Sequence, residues 1–248
     1  MSIIMSDKFE QLLAEANAKY GEISSVQLKR AIEVIDDFLR VFPRVFAIRV
    51  DLHFPQMVSV DAPDMPTCFP RADAKAITRF FASLESQLLA EHRRKGKQGT
   101  PAPFGYIWVK EQDASGFPHY HLILLFNKDD YAFLGSFDTS DANNMVGRIR
   151  KAWCSALQLS PSAYQALVHF PANQYWLTRV DATLDNENYY AFLLRIAYFF
   201  KLHSKLLSTR SFSCSQAIGN VKKVDLQPLG QRARILHTRL LRLFMQEA

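Results

Sequence analysis

Apolar residues recur every three to four positions over two N-terminal stretches, then switch to strict alternation. Phe9, Leu12, Leu13 and Ala16 share one stripe, which predicts a helix over residues 6–20 with Ser6 as its cap. Leu28, Ile32, Ile35, Phe38 and Leu39 repeat the pattern over 25–42, and Pro43 ends it. From 46 to 54 the period falls to two. Phe46, Ile48, Val50, Leu52 and Phe54 point one way; Ala47, Arg49, Asp51 and His53 point the other. That alternation predicts a strand, closed by Pro55.

Residues 56–70 read as a loop and 73–95 as an amphipathic helix with the basic end His92-Arg93-Arg94-Lys95. Two further strands, 104–112 and 119–127, flank a short stretch containing Gly116, the pattern of a hairpin. A helix over 138–157, capped by Asp138 or Ser140, follows, and the short apolar runs 167–170 and 175–179 read as further strands. A long helix over 188–205 and a basic amphipathic one over 229–246 complete the chain. Helices interspersed with hairpin-forming strands predict an α+β fold. Its centre is an antiparallel β-sheet flanked by helices, with N-terminal helices and a basic C-terminal helix.

Composition narrows the class. Of 248 residues 48% are apolar and 19 are Phe, enough for a large core, while Gly is scarce at 9. Cys68, Cys154 and Cys214 form no CxxC pair, which predicts a reducing compartment rather than a disulfide scaffold. The start shows no basic patch followed by an apolar run, and the longest apolar stretches are too short for a membrane helix. The expected location is therefore the cytoplasm, with no membrane partner. The net charge is +6 and the pI about 9.2. Residues 201–248 hold nine Lys or Arg against Asp225 and Glu247, so the body before them is close to neutral. A basic end on a neutral body points to an anionic partner such as nucleic acid, or, more plainly, to a solvated basic helix.

The residues able to do chemistry centre on Pro118-His119-Tyr120-His121. Positions i and i+2 of a strand share a face, so His119 and His121 project side by side, as two ligands of one metal do. Glu111 lies on the partner strand of the expected hairpin, within reach of both imidazoles. A stacked or hydrogen-bonded histidine pair is the plainer reading, but a buried strand seldom carries two adjacent histidines without a purpose. Two histidines and a carboxylate serve zinc hydrolases and iron oxygenases, yet HExxH is missing and both histidines come from one strand. A third use is a divalent ion that polarises a phosphodiester for attack by a side-chain nucleophile. Tyr198-Phe199-Phe200-Lys201 supplies such a nucleophile, with Tyr198 and Lys201 three apart on the helix expected there and Lys205 continuing the same face. Nearby ammonium groups favour the phenolate, and lysine can hold a phosphate oxygen. Alone, a YxxK match is more often a rim aromatic beside snorkelling lysines.

An acid, an HxH strand and a downstream YxxK segment, in that order, resemble the HUH endonucleases, which nick single-stranded DNA. More narrowly, the segments around Asp51, Glu111, His119, His169 and Tyr198 resemble the inovirus (filamentous-phage) gene-two-type replication initiators. The resemblance spans roughly residues 43–215 and rests on short motifs. It implies an HUH endonuclease-like catalytic domain over 43–215, between an N-terminal helical segment (1–42) and a basic tail and helix (216–248). It implies Mg²⁺ or Mn²⁺ held by His119, His121 and Glu111, and Tyr198 as nucleophile, leaving a 5′-phosphotyrosine link. Lys201 would then neutralise charge on the reacting phosphate. The residue between the histidines is usually a bulky aliphatic in that family; here it is Tyr120, expected to pack away from the metal. Tyr189 and Tyr190 leave the choice of acting phenol open.

On this reading the chain is a rolling-circle replication initiator that nicks and rejoins single-stranded DNA. Its partners would be single-stranded DNA or an origin hairpin, and host replication machinery. Arg93, Arg94, Lys95, Lys97, Lys205 and Arg210 would track the DNA backbone. Asp51 and His53 are candidates to orient the ligands; the favoured alternative is an edge or solvent face on which Arg49 and Asp51 simply pair. His169 reads as a packed strand histidine, and 210–213 either meets phosphate or is a polar loop. Tyr175 and Trp176 read as core residues that could otherwise stack bases. Two rivals are a DNA-binding protein without catalysis (a degenerate initiator or repressor) and a metal-dependent enzyme acting on small molecules.

Overall fold

A computed structural model describes residues 7–55, 71–112, 118–137, 143–172, 174–203 and 211–216. The chain order is α1 (Asp7–Tyr20), α2 (Ser25–Val41), β1 (Arg44–His53), α3 (Ala76–Arg94), β2 (Gly105–Gln112), β3 (Pro118–Asn127), α4 (Met145–Leu157), the single turn α5 (Pro161–Tyr164), β4 (Val168–His169), β5 (Gln174–Thr178), α6 (Glu187–Ala197) and β6 (Phe212–Cys214). The fold is α+β, as expected. Among the described residues six strands form one antiparallel sheet in the order β4-β1-β3-β2-β6, with β5 sharing the β4 side of β1.

Alternation along the strands gives the sheet two covered faces. Phe46, Ile48, Val50 and Leu52 of β1 join Leu122, Leu124 and Phe126 of β3 in a core closed by α3 and α4. Val45, Ala47, Ile107, Val109, Ile123 and Leu125 face the other way, into a second core closed by α1, α2 and α6. The long helices are amphipathic for that reason: one stripe of each faces a core. The N-terminal helices are thus part of the sheet's own core. Ser24, Asn144 and Asn186 cap α2, α4 and α6, each accepting a hydrogen bond from a first-turn backbone N–H. No helix among the described residues is long and apolar enough to cross a membrane.

Three expectations need correction. First, the helix expected over 188–205 ends at Ala197; Tyr198–Phe200 is a 3-10 turn and Lys201 is extended. The cause is tertiary. Residues 22–24, the link between α1 and α2, pair with 200–202: Ser24 N–H donates to the Phe200 carbonyl (2.9 Å) and Leu202 N–H to that of Glu22 (2.9 Å). Tyr198 and Lys201 therefore do not share a helical face. Second, the segment after Arg210 is not a polar loop throughout, because Phe212–Cys214 forms the edge strand β6 on β2. Third, α4 begins at Met145 with Asn144 as its cap; Asp138 and Ser140 lie outside the described residues, as do Lys205, Arg210 and the basic helix expected over 229–246.

Candidate metal centre and nucleophile

On the α1/α2/α6 side of the sheet the apolar surface stops at one end, and charged residues take its place. β3 runs between β1 and β2, and its register aligns two rows across the three strands. His119 lies opposite His53 on β1 and Glu111 on β2; His121 lies opposite Asp51 on β1 and Val109 on β2. The period of two puts Asp51, Glu111, His119 and His121 on one face at that end.

The side chains converge. Nε2 of His119 is 3.1 Å from Nε2 of His121, which is 3.5 Å from Oε2 of Glu111. Potential ligand atoms of the three residues lie within 4.8 Å of one another. An ion with bonds of about 2.1 Å holds neighbouring ligands roughly 3.0–3.5 Å apart, so the donor set fits one divalent cation. Two imidazoles with one carboxylate suit Mn²⁺ better than Mg²⁺, which prefers oxygen donors and retains its waters.

Asp51 sets the orientation of His121. His121 Nδ1 and Asp51 Oδ1 are 2.7 Å apart, so an Nδ1–H donating to the carboxylate leaves Nε2 for the cluster. Burial alone raises the Asp51 pKa, but the hydrogen bond and charge of His121, then those of Arg49, outweigh it and bring the carboxyl down to about 2. For His121, burial favours the neutral ring, but the bonds to Asp51 and Glu111 outweigh it and the pKa is raised. The expectation that Arg49 and Asp51 pair on an edge or solvent face is corrected. They do pair, at 3.1 Å, but β1 is an interior strand with β3 on one side and β4 and β5 on the other, and Asp51 is 6% exposed. His169, expected to be packed, has a side chain 63% exposed, with Nδ1 3.7 Å from Asp51 Oδ2, because β4 is an outer strand. His53 stacks on His119 with ring centroids 5.5 Å apart at the solvent rim.

The 3-10 turn brings Tyr198 to this cluster. Its ring centroid is 6.1 Å from that of His121, and the Phe199 ring stacks on His121 at 5.6 Å. Tyr20, at the end of α1, meets the Tyr198 ring edge-on at 5.4 Å. Lys201 Nζ lies 3.7 Å from the Tyr198 ring centroid and 3.4 Å from Glu111 Oε2, so it bridges the acid and the phenol. Tyr189 and Tyr190 point elsewhere. The Tyr189 hydroxyl donates to Asp36 (3.1 Å) and the Tyr190 hydroxyl to Glu15 (2.8 Å). Burial and then the Glu15 bond push the Tyr190 phenol up to about 12, and burial pushes Tyr189 upward as well.

Tyr120 packs on the other face against Trp108 and Trp153, as expected. Tyr175 packs on Phe192 at 4.8 Å, whereas Trp176 stays half-exposed. Arg93, Arg94, Lys95 and Lys97 are not brought to the cluster. Arg93 and Arg94 end α3, on the opposite face, Lys95 and Lys97 follow it, and Lys97 pairs with Asp130 just past the end of β3 (3.2 Å). His119 begins that strand, roughly 30 Å away along its length. Sequence reasoning missed the parts played by Phe199 and Tyr20, for which no motif signals; Arg49 was visible two positions before Asp51, but only as its partner.

Residues 5–215 match the family described as the YagK/YfjJ C-terminal domain. The protein YagK of Escherichia coli (strain K12), described as uncharacterized, is 41% identical over 180 residues, covering 71% of this chain and 85% of its own. YfjJ of the same strain, likewise described, is 31% identical over 207 residues, covering 81% of this chain and 98% of its own. No solved structure matches.

Proposed function

The chain belongs to the YagK/YfjJ C-terminal domain family, and from the site it carries we propose that it is a metal-dependent single-strand DNA endonuclease and strand transferase of the HUH type, acting as a rolling-circle initiator. The observation that carries the reading is the meeting of two distant stretches. The HxH–Glu donor set of β2 and β3 and the phenol at position 198 share one corner of the sheet, with ring centroids of His121 and Tyr198 6.1 Å apart.

His119, His121 and Glu111 would hold the cation, which draws electron density from a phosphate oxygen. The protein's own residues do the rest. Tyr198 bonds to phosphorus as the bond to the 3′ oxygen breaks; the phenol gives up its proton and the departing oxygen takes one, leaving a 5′-phosphotyrosine and a 3′-hydroxyl. Lys201, held between Glu111 and the ring, offers positive charge to the phosphate as negative charge builds on it. Asp51 keeps the His121 Nε2 lone pair directed at the cluster. The partner is single-stranded DNA or a hairpin origin. Lys201 meets its backbone at the cluster; Arg93, Arg94, Lys95 and Lys97, at the far end of the opposite face, would touch only DNA that runs beyond the scissile phosphate.

The test is covalent capture. Protein is incubated with Mn²⁺ and a labelled single-stranded DNA pool of full sequence complexity, then run on a denaturing gel. A slow band that survives denaturation, and is lost in Tyr198→Phe and with chelator, is expected. No such band from wild type, or an equal band from Tyr198→Phe, overturns the reading.

A further inference from the structure

On the same face of β1, one step inward from Asp51, stands Arg49. It lies opposite Ile123, where the polar end of the face gives way to core. Its side chain is 14% exposed, and a cation so placed needs partners. The partners are specific. Nε is 3.1 Å from Asp51 Oδ1 and Nη2 is 3.1 Å from Asp51 Oδ2, a two-pronged pair. Nη2 also lies 3.3 Å from His121 Nδ1, a close contact and not a hydrogen bond, since Nδ1 gives its proton to Asp51. The guanidinium carbon lies 5.4 Å from the Tyr198 ring centroid and 5.2 Å from that of Phe199. One planar cation thus touches the carboxylate that aims His121 and the ring that would attack.

Lys201 makes the complementary link, joining Glu111 to Tyr198. The donor set and the phenol are therefore connected twice: through Lys201 to Glu111, and through Arg49 to Asp51, which holds His121. Nothing in the HxH or YxxK motifs contains Arg49.

We propose that Arg49 is a positioning residue that couples the orientation of His121 to the placement of Tyr198. The proposal rests on the endonuclease reading and adds a residue to it. Arginine is required by shape. Its fork grips both carboxylate oxygens while its flat face lies against two aromatic rings; an ammonium of the same charge does one or the other.

Arg49→Lys keeps the charge and tests the shape; Arg49→Ala removes both. Each is compared with wild type by thermal melting, by Mn²⁺ affinity from the spin-resonance signal of free Mn²⁺, and by the rate of covalent DNA capture. Arg49→Lys is expected to melt near wild type, to bind Mn²⁺ about tenfold more weakly or worse, as loss of a ligand-orienting group does, and to capture DNA more slowly by a larger factor. Added guanidinium at millimolar, non-denaturing concentration is expected to restore part of the Arg49→Ala capture rate, and methylammonium to restore none. Wild-type Mn²⁺ affinity and capture rate in a folded Arg49→Lys protein overturn the proposal, as does equal rescue by both cations. Failure of wild type itself to bind Mn²⁺ or capture DNA overturns the endonuclease reading instead.

Discussion

Replacing Asp51 by asparagine perturbs the pair that organises the site, and its cost can be worked out. The carboxyl falls from its ordinary 3.8 to about 2 in the folded chain, where it accepts from His121 and Arg49. A lowered folded pKa means that the ionised form stabilises the fold. That stability is fully present above the unfolded value near 3.8 and is lost as pH falls through about 2. The difference corresponds to roughly 2–3 kcal/mol, and the side chain is buried enough for solvent to screen little of it. His121 gives the mirror image. Its raised pKa contributes stability present below its ordinary 6.5 and lost as pH rises through the folded value. In chelator, urea unfolding followed by tryptophan fluorescence from pH 2 to 8 reads both limbs. The other carboxylates cancel in the difference between the two proteins. Asp51→Asn is expected to be less stable by about 2–3 kcal/mol near pH 5, with the gap closing toward pH 2 and narrowing above neutrality. A gap that stays constant from pH 2 to 5 refutes the reasoning.

Two further outcomes follow from the packing. Gly21 has φ +84° in the turn that lines residues 22–24 against 200–202; Gly21→Ala is expected to cost about 1–2 kcal/mol and to speed amide exchange at Ser24 and Leu202 over its rate elsewhere. Burial pushes the Cys154 thiol up to about 11, and its side chain is fully enclosed by the α3/α4 core; a thiol reagent at pH 8 should modify it only in urea.

Much of the candidate site was legible because its logic is local. Alternation over β1 and the paired runs of β2 and β3 needed only neighbouring residues, and they placed His119, His121 and Glu111 on one face. Ranges of those strands differ from the expectation by two residues at most. What was not legible depends on partners far along the chain. The end of α6 is decided by residues 22–24, so the geometry of Lys201 could not be drawn from a helical repeat. The interior place of Asp51 is decided by β4, a strand of two residues with little pattern of its own. The edge strand β6 exists through its pairing with β2.

Those non-local decisions bear on why the site is there at all. Among the described residues six Asp, Glu, His, Lys or Arg side chains are buried, and four of them, Asp51, Glu111, His121 and Lys201, meet at this corner. The other two, Glu91 and Arg148, pair with each other at 3.0 Å under the opposite face. A buried ion pair adds little to stability compared with apolar residues of the same size. Holding four ionisable groups together, with Arg49 beside them, is a poorer use of a sheet end that elsewhere carries Val, Ile and Leu. The chain also spends its N-terminal helices on holding the 3-10 turn against this corner: Tyr20 touches Tyr198, and Ile23 pairs with Lys201. Local rules of packing are broken here and kept along the rest of the face, which is the pattern of a site retained for chemistry. Joint replacement of Asp51, Glu111, His121 and Lys201 by apolar residues of similar volume is expected to leave the melting temperature equal or higher while abolishing Mn²⁺ binding and DNA capture; a replaced protein that melts lower and still binds Mn²⁺ would show that the cluster serves the fold alone.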